Sequence, residues 1–230
     1  MTETTHSRGH DRDGAVQTEM LRRGAAPQRL RAALTIGTDA DDEFLDVLIE
    51  RCRLEPDFFV RDMLTWALTR LDPDLVVPRL IAELDSDVAQ AQSQALHTLS
   101  KIGDRRGWEA IDPNVIGLRF IAHPDAEVAR SAWRSAVSLV PGENRADLAS
   151  ALVTQLGRGD LETQKSLSRA LVALGDDLVS VVDGSVGAEE ETVRAHALAT
   201  VEMFHDPDAG FAHAMGEAKR VVALGSEATA

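Results

Sequence analysis

The sequence predicts an all-α protein in which helical hairpins stack side by side. Three observations predict it. One apolar pattern recurs five times at helical spacing, proline and glycine punctuate the chain at hairpin length, and aromatic residues are scarce. Aromatics make up 4% of the residues, with no tyrosine, in a composition that is 44% hydrophobic. A core of Ala, Leu and Val suits closely packed helices, because small side chains let backbones approach.

The recurring pattern is an apolar set at i, i+3, i+4, i+7, one stripe of a helix, with a small residue at i+3. Its copies are Leu64, Ala67, Leu68, Leu71; Ala95, Thr98, Leu99, Ile102; Trp133, Ala136, Val137, Val140; Leu167, Ala170, Leu171, Leu174; and Ala197, Thr200, Val201, Phe204. Successive first members stand 31, 38, 34 and 30 residues apart. That is the length of one helical hairpin, which cannot bury its stripe alone and must stack on neighbours. Three residues ahead of each set stands Arg61, Gln92, Arg130, Gln164 or Arg194.

Taken in order, residues 1–18 are polar and read as a disordered tail, with no apolar stretch of a signal peptide between Met1 and Asp13. Residues 19–40 read as an N-terminal capping segment, with a helix from Pro27 to Ile36. The repeats occupy 41–206. Their first helices carry stripes of their own over 43–54, 74–85 and 145–157, for example Val77, Leu80, Ile81 and Leu84. Asp72-Pro73, Asp112-Pro113 and Asp206-Pro207 each offer an N-cap carboxylate followed by proline at the first helical position. Gly103, Gly142 and Gly175 are placed to close second helices. The 38-residue interval contains Asp112-Pro113, which splits that first helix in two. Phe211, Met215, Ala218 and Val222 form one stripe of a capping helix over 207–224, and 225–230 form a second disordered tail.

This pattern resembles the HEAT-repeat superfamily, in particular its bacterial HEAT-like branch first noted in phycobilin lyases. The residues that carry the resemblance are Val60-Arg61 ahead of Leu64, Ala67 and Leu68, the ending Ile102-Gly103-Asp104, and Pro78 within a first helix. It covers about residues 41 to 206. It implies a right-handed α-α superhelix, a HEAT-like solenoid of about five to six hairpins, with second helices lining a concave face. It also implies a structural role for the arginine series, pairing with acidic groups of the adjoining repeat. Gln92 and Gln164 depart from that arginine.

On such a concave face, residues two before the first member of each set, and two and five after it, point away from the core. They read as a groove floor: Asp62, Trp66, Thr69; Ser93, His97, Ser100; Ser131, Ser135, Ser138; Lys165, Arg169, Val172; Ala195, Ala199, Glu202. The candidate partner-binding residues are Trp66, Asp62, His97, Ser131, Ser135, Lys165 and Arg169. Trp66 leads them, because an outward tryptophan beside small hydroxyls is an anchor for a peptide or partner helix. The competing reading packs Trp66 under a loop or the N-terminal helix. Trp108 and Trp133 read as structural.

Catalytic signals are scarce. No GxxxxGK[ST] loop, GxSxG elbow or HExxH pair is present. The single cysteine, Cys52, follows Leu45, Leu48 and Ile49 at helical spacing and reads as a small core residue. His6 and His10, and the group His205, Asp206, Asp208 and His213, carry no metal-site pattern beyond proximity. The formal charge of −14, from 24 basic and 38 acidic residues, disfavours phosphate backbones and anionic membranes. The expectation is therefore a cytoplasmic, non-enzymatic scaffold, without cofactor or metal, that holds a protein or peptide partner in its groove. The alternatives are a HEAT-like DNA glycosylase, which needs a basic floor, a phycobilin-lyase-like accessory, and the sensory half of a regulator.

Overall fold

A computed structural model describes residues 4–175, 177–206 and 210–227, with side chains for 14–175, 181–206 and 210–224. Every regular element among the described residues is helical, and the all-α class expected from the periodicity is the class found. The chain divides into two compact units, Met1–Gly107 and Trp108–Ala230.

The first unit holds α1 (Thr4–Arg23), α2 (Ala26–Asp39), a short turn at Asp42–Phe44, α3 (Leu45–Leu54), α4 (Phe58–Leu68), α5 (Pro73–Glu83) and α6 (Ala89–Ile102). α7 (Arg105–Glu109) crosses into the second unit. There follow α8 (Pro113–Ile116), α9 (Ala126–Leu139), α10 (Arg145–Val153), α11 (Leu161–Val172), α12 (Asp177–Val186), α13 (Glu191–His205) and α14 (Phe211–Glu227). α3 and α4, α5 and α6, α10 and α11, and α12 and α13 pack as the hairpins of the repeat. The recurring sets lie on α4, α6, α9, α11 and α13, and their first two members are buried in every copy.

Sequence signals start and stop these helices as expected, with three differences. Asp57, Asp72, Asp112, Asp125 and Asp160 accept hydrogen bonds from the first-turn amides that follow them. Gly103 and Gly175 close α6 and the turn after α11 at φ of +73° and +66°, where glycine carries no Cβ penalty. Gly142 does not act this way. α9 ends at Leu139 because Val140 precedes Pro141 and is held extended (φ −59°, ψ 127°), and Gly142 opens a short turn. The second difference is at the N-terminus, where α1 begins at Thr4 within the stretch expected to be a tail. The third is at the C-terminus, where α14 runs on to Glu227 through the first half of the tail expected over 225–230; Pro207, the side chains of His6, His10 and Asp208, and residues 228–230 lie outside the described residues.

The residue three ahead of each set ties down the turn that precedes its own helix. Arg61 Nη1 donates to the carbonyls of Glu55 and Pro56 at 3.0 and 2.9 Å, and Arg194 Nη1 to those of Ala188 and Glu189 at 2.6 and 2.7 Å. Gln92 Nε2 reaches Leu84 O at 3.2 Å, and Gln164 Nε2 reaches Gly157 O and Gly159 O, both at 3.2 Å. Helix ends leave carbonyls without intrahelical partners, and either an amide or a guanidinium can satisfy them. This explains why glutamine replaces arginine twice. It also corrects the expected pairing with acidic groups of the next repeat. Arg130 is the exception: it pairs with Glu127, its Nε is buried without a partner, and Arg158 supplies the bonds to His123 O and Pro124 O.

Neighbouring second helices are joined by buried polar rings in the same register. In the first unit, Gln94 Nε2 donates to Thr65 Oγ1 at 2.6 Å, the Thr65 and Thr98 hydroxyls lie 3.4 Å apart, and Thr98 Oγ1 donates to Gln94 O at 2.8 Å. In the second unit the members are His196, Ser168 and Thr200. His196 Nε2 lies 3.0 Å from Ser168 Oγ, which lies 2.7 Å from Thr200 Oγ1, and Thr200 Oγ1 donates to His196 O at 2.8 Å. The Gly157 amide donates to His196 Nδ1 at 2.9 Å, so the ring proton sits on Nε2, facing Ser168 Oγ and Gln164 O. Every member of this ring is fully buried, and each has its partners.

A second buried polar node lies between α3 and α4. The Glu55 carboxylate, 0% exposed, takes two bonds from Arg29 at 2.6 and 2.7 Å, one from Arg51 at 2.8 Å and one from the Asp57 amide at 2.9 Å. Burial pushes this carboxyl up, but Arg29, the Asp57 amide and Arg51 together outweigh it and hold the group below the usual range. Gln90 Nε2 adds bonds to the Cys52 and Glu55 carbonyls, so one turn links α2, α3, α4 and α6.

Two outcomes follow. Removing the Glu55 charge leaves Arg29 and Arg51 facing each other in a largely buried site, so Glu55→Ala is expected to lower unfolding free energy by about 3 kcal/mol. Urea titration checks this, and a loss below about 1 kcal/mol, typical of a surface pair, would contradict it. Burial lowers the His196 pKa to about 4 from an ordinary 6.5. The unfolded chain takes up this proton as pH falls below 6.5, while the folded chain does so only near 4, so stability falls across that window. The expected loss is about 3 kcal/mol, complete below pH 4 and absent above 6.5. His196→Gln, which keeps a neutral amide donor as at Gln94, should flatten this part of the stability–pH curve; parallel curves for the two proteins would refute the assignment.

Candidate functional site

The side of α4 opposite its apolar set is the most exposed aromatic surface among the described residues. Leu64, Ala67 and Leu68 bury one side of the helix, and Thr65 joins the polar ring with α6. With that rotation fixed, Phe59, Asp62 and Trp66 fall at i, i+3, i+7 on the outward side, with Phe58 beside them. Phe58 is 65% exposed, Phe59 72% and Trp66 36%, and Asp62 is also exposed. The two phenyl rings meet edge to face at 5.7 Å, and the Arg61 guanidinium lies 6.0 Å from the Phe58 ring centre. Leu54, at the end of α3, adds a further exposed apolar side chain in the same hairpin.

Asp57 sets this arrangement, because its carboxylate accepts from the Phe59 and Val60 amides at 2.9 and 3.1 Å and starts the helix there. Trp66 is held at its inner edge by α2. A Cβ on Gly37 would lie 2.4 Å from Trp66 Cζ3 and 2.8 Å from Ala67 Cα, so only glycine allows this approach. Trp66 is therefore both packed under the N-terminal part of the chain and open on its other edge.

The remaining candidates separate into distinct environments. His97 is half-buried on α6. Ser131 and Ser135 are 3% and 1% exposed and do not present hydroxyls to a groove, and Ser135 Oγ donates to Ser131 O within α9. Ala195 and Ala199, at equivalent places on α13, are covered by Phe211, Ala214, Met215 and Ala218 of α14. The expectation of a serine-lined floor is corrected on these grounds: second helices are packed on more than one side, and a single stripe does not describe them. Lys165 and Arg169 line a pocket of about 510 Å³ with Met203, Phe211, Ala212 and His213 in the second unit.

Other chemistry-bearing residues are accounted for by packing. Burial, then the charges of Glu83 and Glu55, pushes the Cys52 thiol up to about 12, so it holds almost no thiolate at neutral pH. Trp133 is fully buried and its Nε1 donates to Ile121 O at 2.9 Å, and Trp108 is buried as well. Among the described residues no group of three His, Cys, Asp or Glu side chains is placed to hold a metal, and no helix is long and apolar enough to cross a membrane.

Phe58 and Phe59 were legible in principle but missed by a stripe-based reading. They stand six and five residues before Leu64, on the turn that starts α4, where helical phase points away from the core.

No family model matches the chain, and no curated protein matches it. Among solved structures it is similar to a chain in the complex of CpcE and CpcF of phycocyanin lyase from Nostoc sp. PCC7120. The identity is 17%, the alignment covers 90% of this chain and 94% of that one, and the TM-score is 0.37. The expectation of a non-enzymatic chain is withdrawn: one fold hosts many unrelated activities, so an all-helical stack and the missing motifs give no ground for excluding an enzyme.

The Gly37 contact yields a test of the α2–α4 packing. Gly37→Ala gains helix propensity worth about 1 kcal/mol, yet the clash with Ala67 Cα involves backbone and cannot relax by rotation. A net loss of about 1–3 kcal/mol is expected from thermal or urea unfolding. Adding Trp66→Ala should restore only part of it, and a variant as stable as the parent would show that the helices are not in this contact.

Proposed function

We propose that the chain is a helical-repeat module that docks another protein on the outward face of α4. The observation that supports this is the cost of leaving Phe58 and Phe59 in water within a chain that has only six phenylalanines. Aromatic side chains, with only two rotatable torsions, lose little entropy when a partner covers them, and an apolar group rimmed by Asp62 and Arg61 has the make-up of an interface centre. Trp66 extends the face by one to two helical turns, and its contact with Gly37 holds it in place before binding. The occupant that fits is a partner helix or extended segment with apolar side chains at its contact.

The phycobilin-lyase-like reading is separated from this one by titrating the chain with a free bilin. A shifted absorbance band lost in Phe59→Asp would move the α4 face from protein docking to tetrapyrrole binding.

The direct test is affinity purification from the native host with the parent chain, Phe59→Asp and Ser150→Asp, the last an exposed position on α10. A bound protein present with the parent and the Ser150 variant should fall at least about tenfold with Phe59→Asp, as for a hot-spot aromatic. Equal recovery across all three would remove the α4 face from the account.

A further inference from the structure

The pocket between α11, α13 and the start of α14 gathers positive charge on a chain whose overall charge is −14. Lys165 and Arg169 stand one turn apart on α11 and so point to the same side. The lining is otherwise apolar at Met203, Phe211 and Ala212, together with His213. Among the described lining residues there is no carboxylate. Lys165 has only a loose contact, 3.8 Å to Glu162 on its own helix. Phe211 is fixed from behind by the cluster that packs α14 onto Ala195 and Ala199, and its ring meets the buried His196 edge to face at 5.8 Å.

We propose that this pocket takes an acidic peptide segment, in which a Glu or Asp side chain lies next to a large apolar one. The inference deepens the protein-docking reading and rests on it, but it names a second contact, in the other unit. The carboxylate would take the Arg169 fork in a two-bond contact, with Lys165 as a second charge, and the apolar side chain would lie on Met203, Ala212 and the small part of Phe211 left uncovered. About 510 Å³ is room for two side chains and the backbone between them, not for a folded surface. The net charge argues for an isolated carboxylate over a polyphosphate backbone, since a strongly negative chain repels a polyanion at a distance while two local cations can still hold one carboxylate.

The test uses the full chain and an end-blocked pentapeptide, Gly-Glu-Phe-Leu-Gly, followed by amide chemical shifts. Shifts should concentrate at Lys165, Arg169, Phe211 and Ala212. Replacing Glu by Gln in the peptide should weaken binding about tenfold or more, the cost of losing a charge-assisted contact. Arg169→Glu should abolish the shifts, Arg169→Lys should retain part of them, and added salt should weaken them. Equal binding of the Glu and Gln peptides would overturn the proposal. So would shifts confined to other residues, or saturation of the same amides by inorganic phosphate at concentrations where the peptide fails. Phe59→Asp should leave peptide binding unchanged. Loss of the host partner with Phe59→Asp and no peptide binding sinks only the pocket, whereas peptide binding with an indifferent Phe59 sinks only the α4 face.

Discussion

The structure depends on how its second helices are rotated about their own axes, and in α4, α6, α11 and α13 two kinds of contact fix that rotation. A small residue at the fourth place of the apolar set lets the neighbouring helix approach. At that place Thr98 and Thr200 also close a polar ring, with Gln94 and Thr65 in one unit and His196 and Ser168 in the other. A ring of this kind tolerates little rotation, because a turn of the helix would leave several buried donors and acceptors unmet at once, each costing about 1–3 kcal/mol. Apolar packing alone would permit nearby rotations at lower cost.

The consequence for function is local. Once Thr65 is held against Gln94 and Leu64 and Leu68 are buried, α4 has no freedom in which side it shows to water. That side carries Phe58, Phe59, Asp62 and part of Trp66. The same logic covers the corresponding side of α13, where Ala195 and Ala199 are small enough for α14 to lie across them. The repeat therefore builds similar helices whose outward sides differ. One is left aromatic, another is sealed by the C-terminal helix, and α11 keeps Lys165 and Arg169 beside the start of α14.

The helices and their order were legible because apolar periodicity and Asp–Pro or glycine punctuation are local signals. The polar rings were not, although their members recur in phase, because Thr65, Gln94, Ser168 and His196 each look like an ordinary polar residue on a helix until the neighbour is in place. Ser131 and Ser135 were misread for a related reason. A serine can satisfy its hydroxyl on its own helix, as Ser135 does on Ser131 O, and then be buried at little cost. Trp66 was read as exposed or covered, and it is both, since Gly37 admits one edge of the ring and leaves the other in solvent.

The rotation of α4 is tested most directly by acrylamide quenching of tryptophan fluorescence, comparing the parent chain with Trp66→Phe. Trp108 and Trp133 are buried and Trp66 is 36% exposed, so the quenchable part of the signal should belong to Trp66 and vanish in the variant. Persistent quenching in Trp66→Phe would mean that another tryptophan faces water, and that α4 is not turned as the buried ring requires.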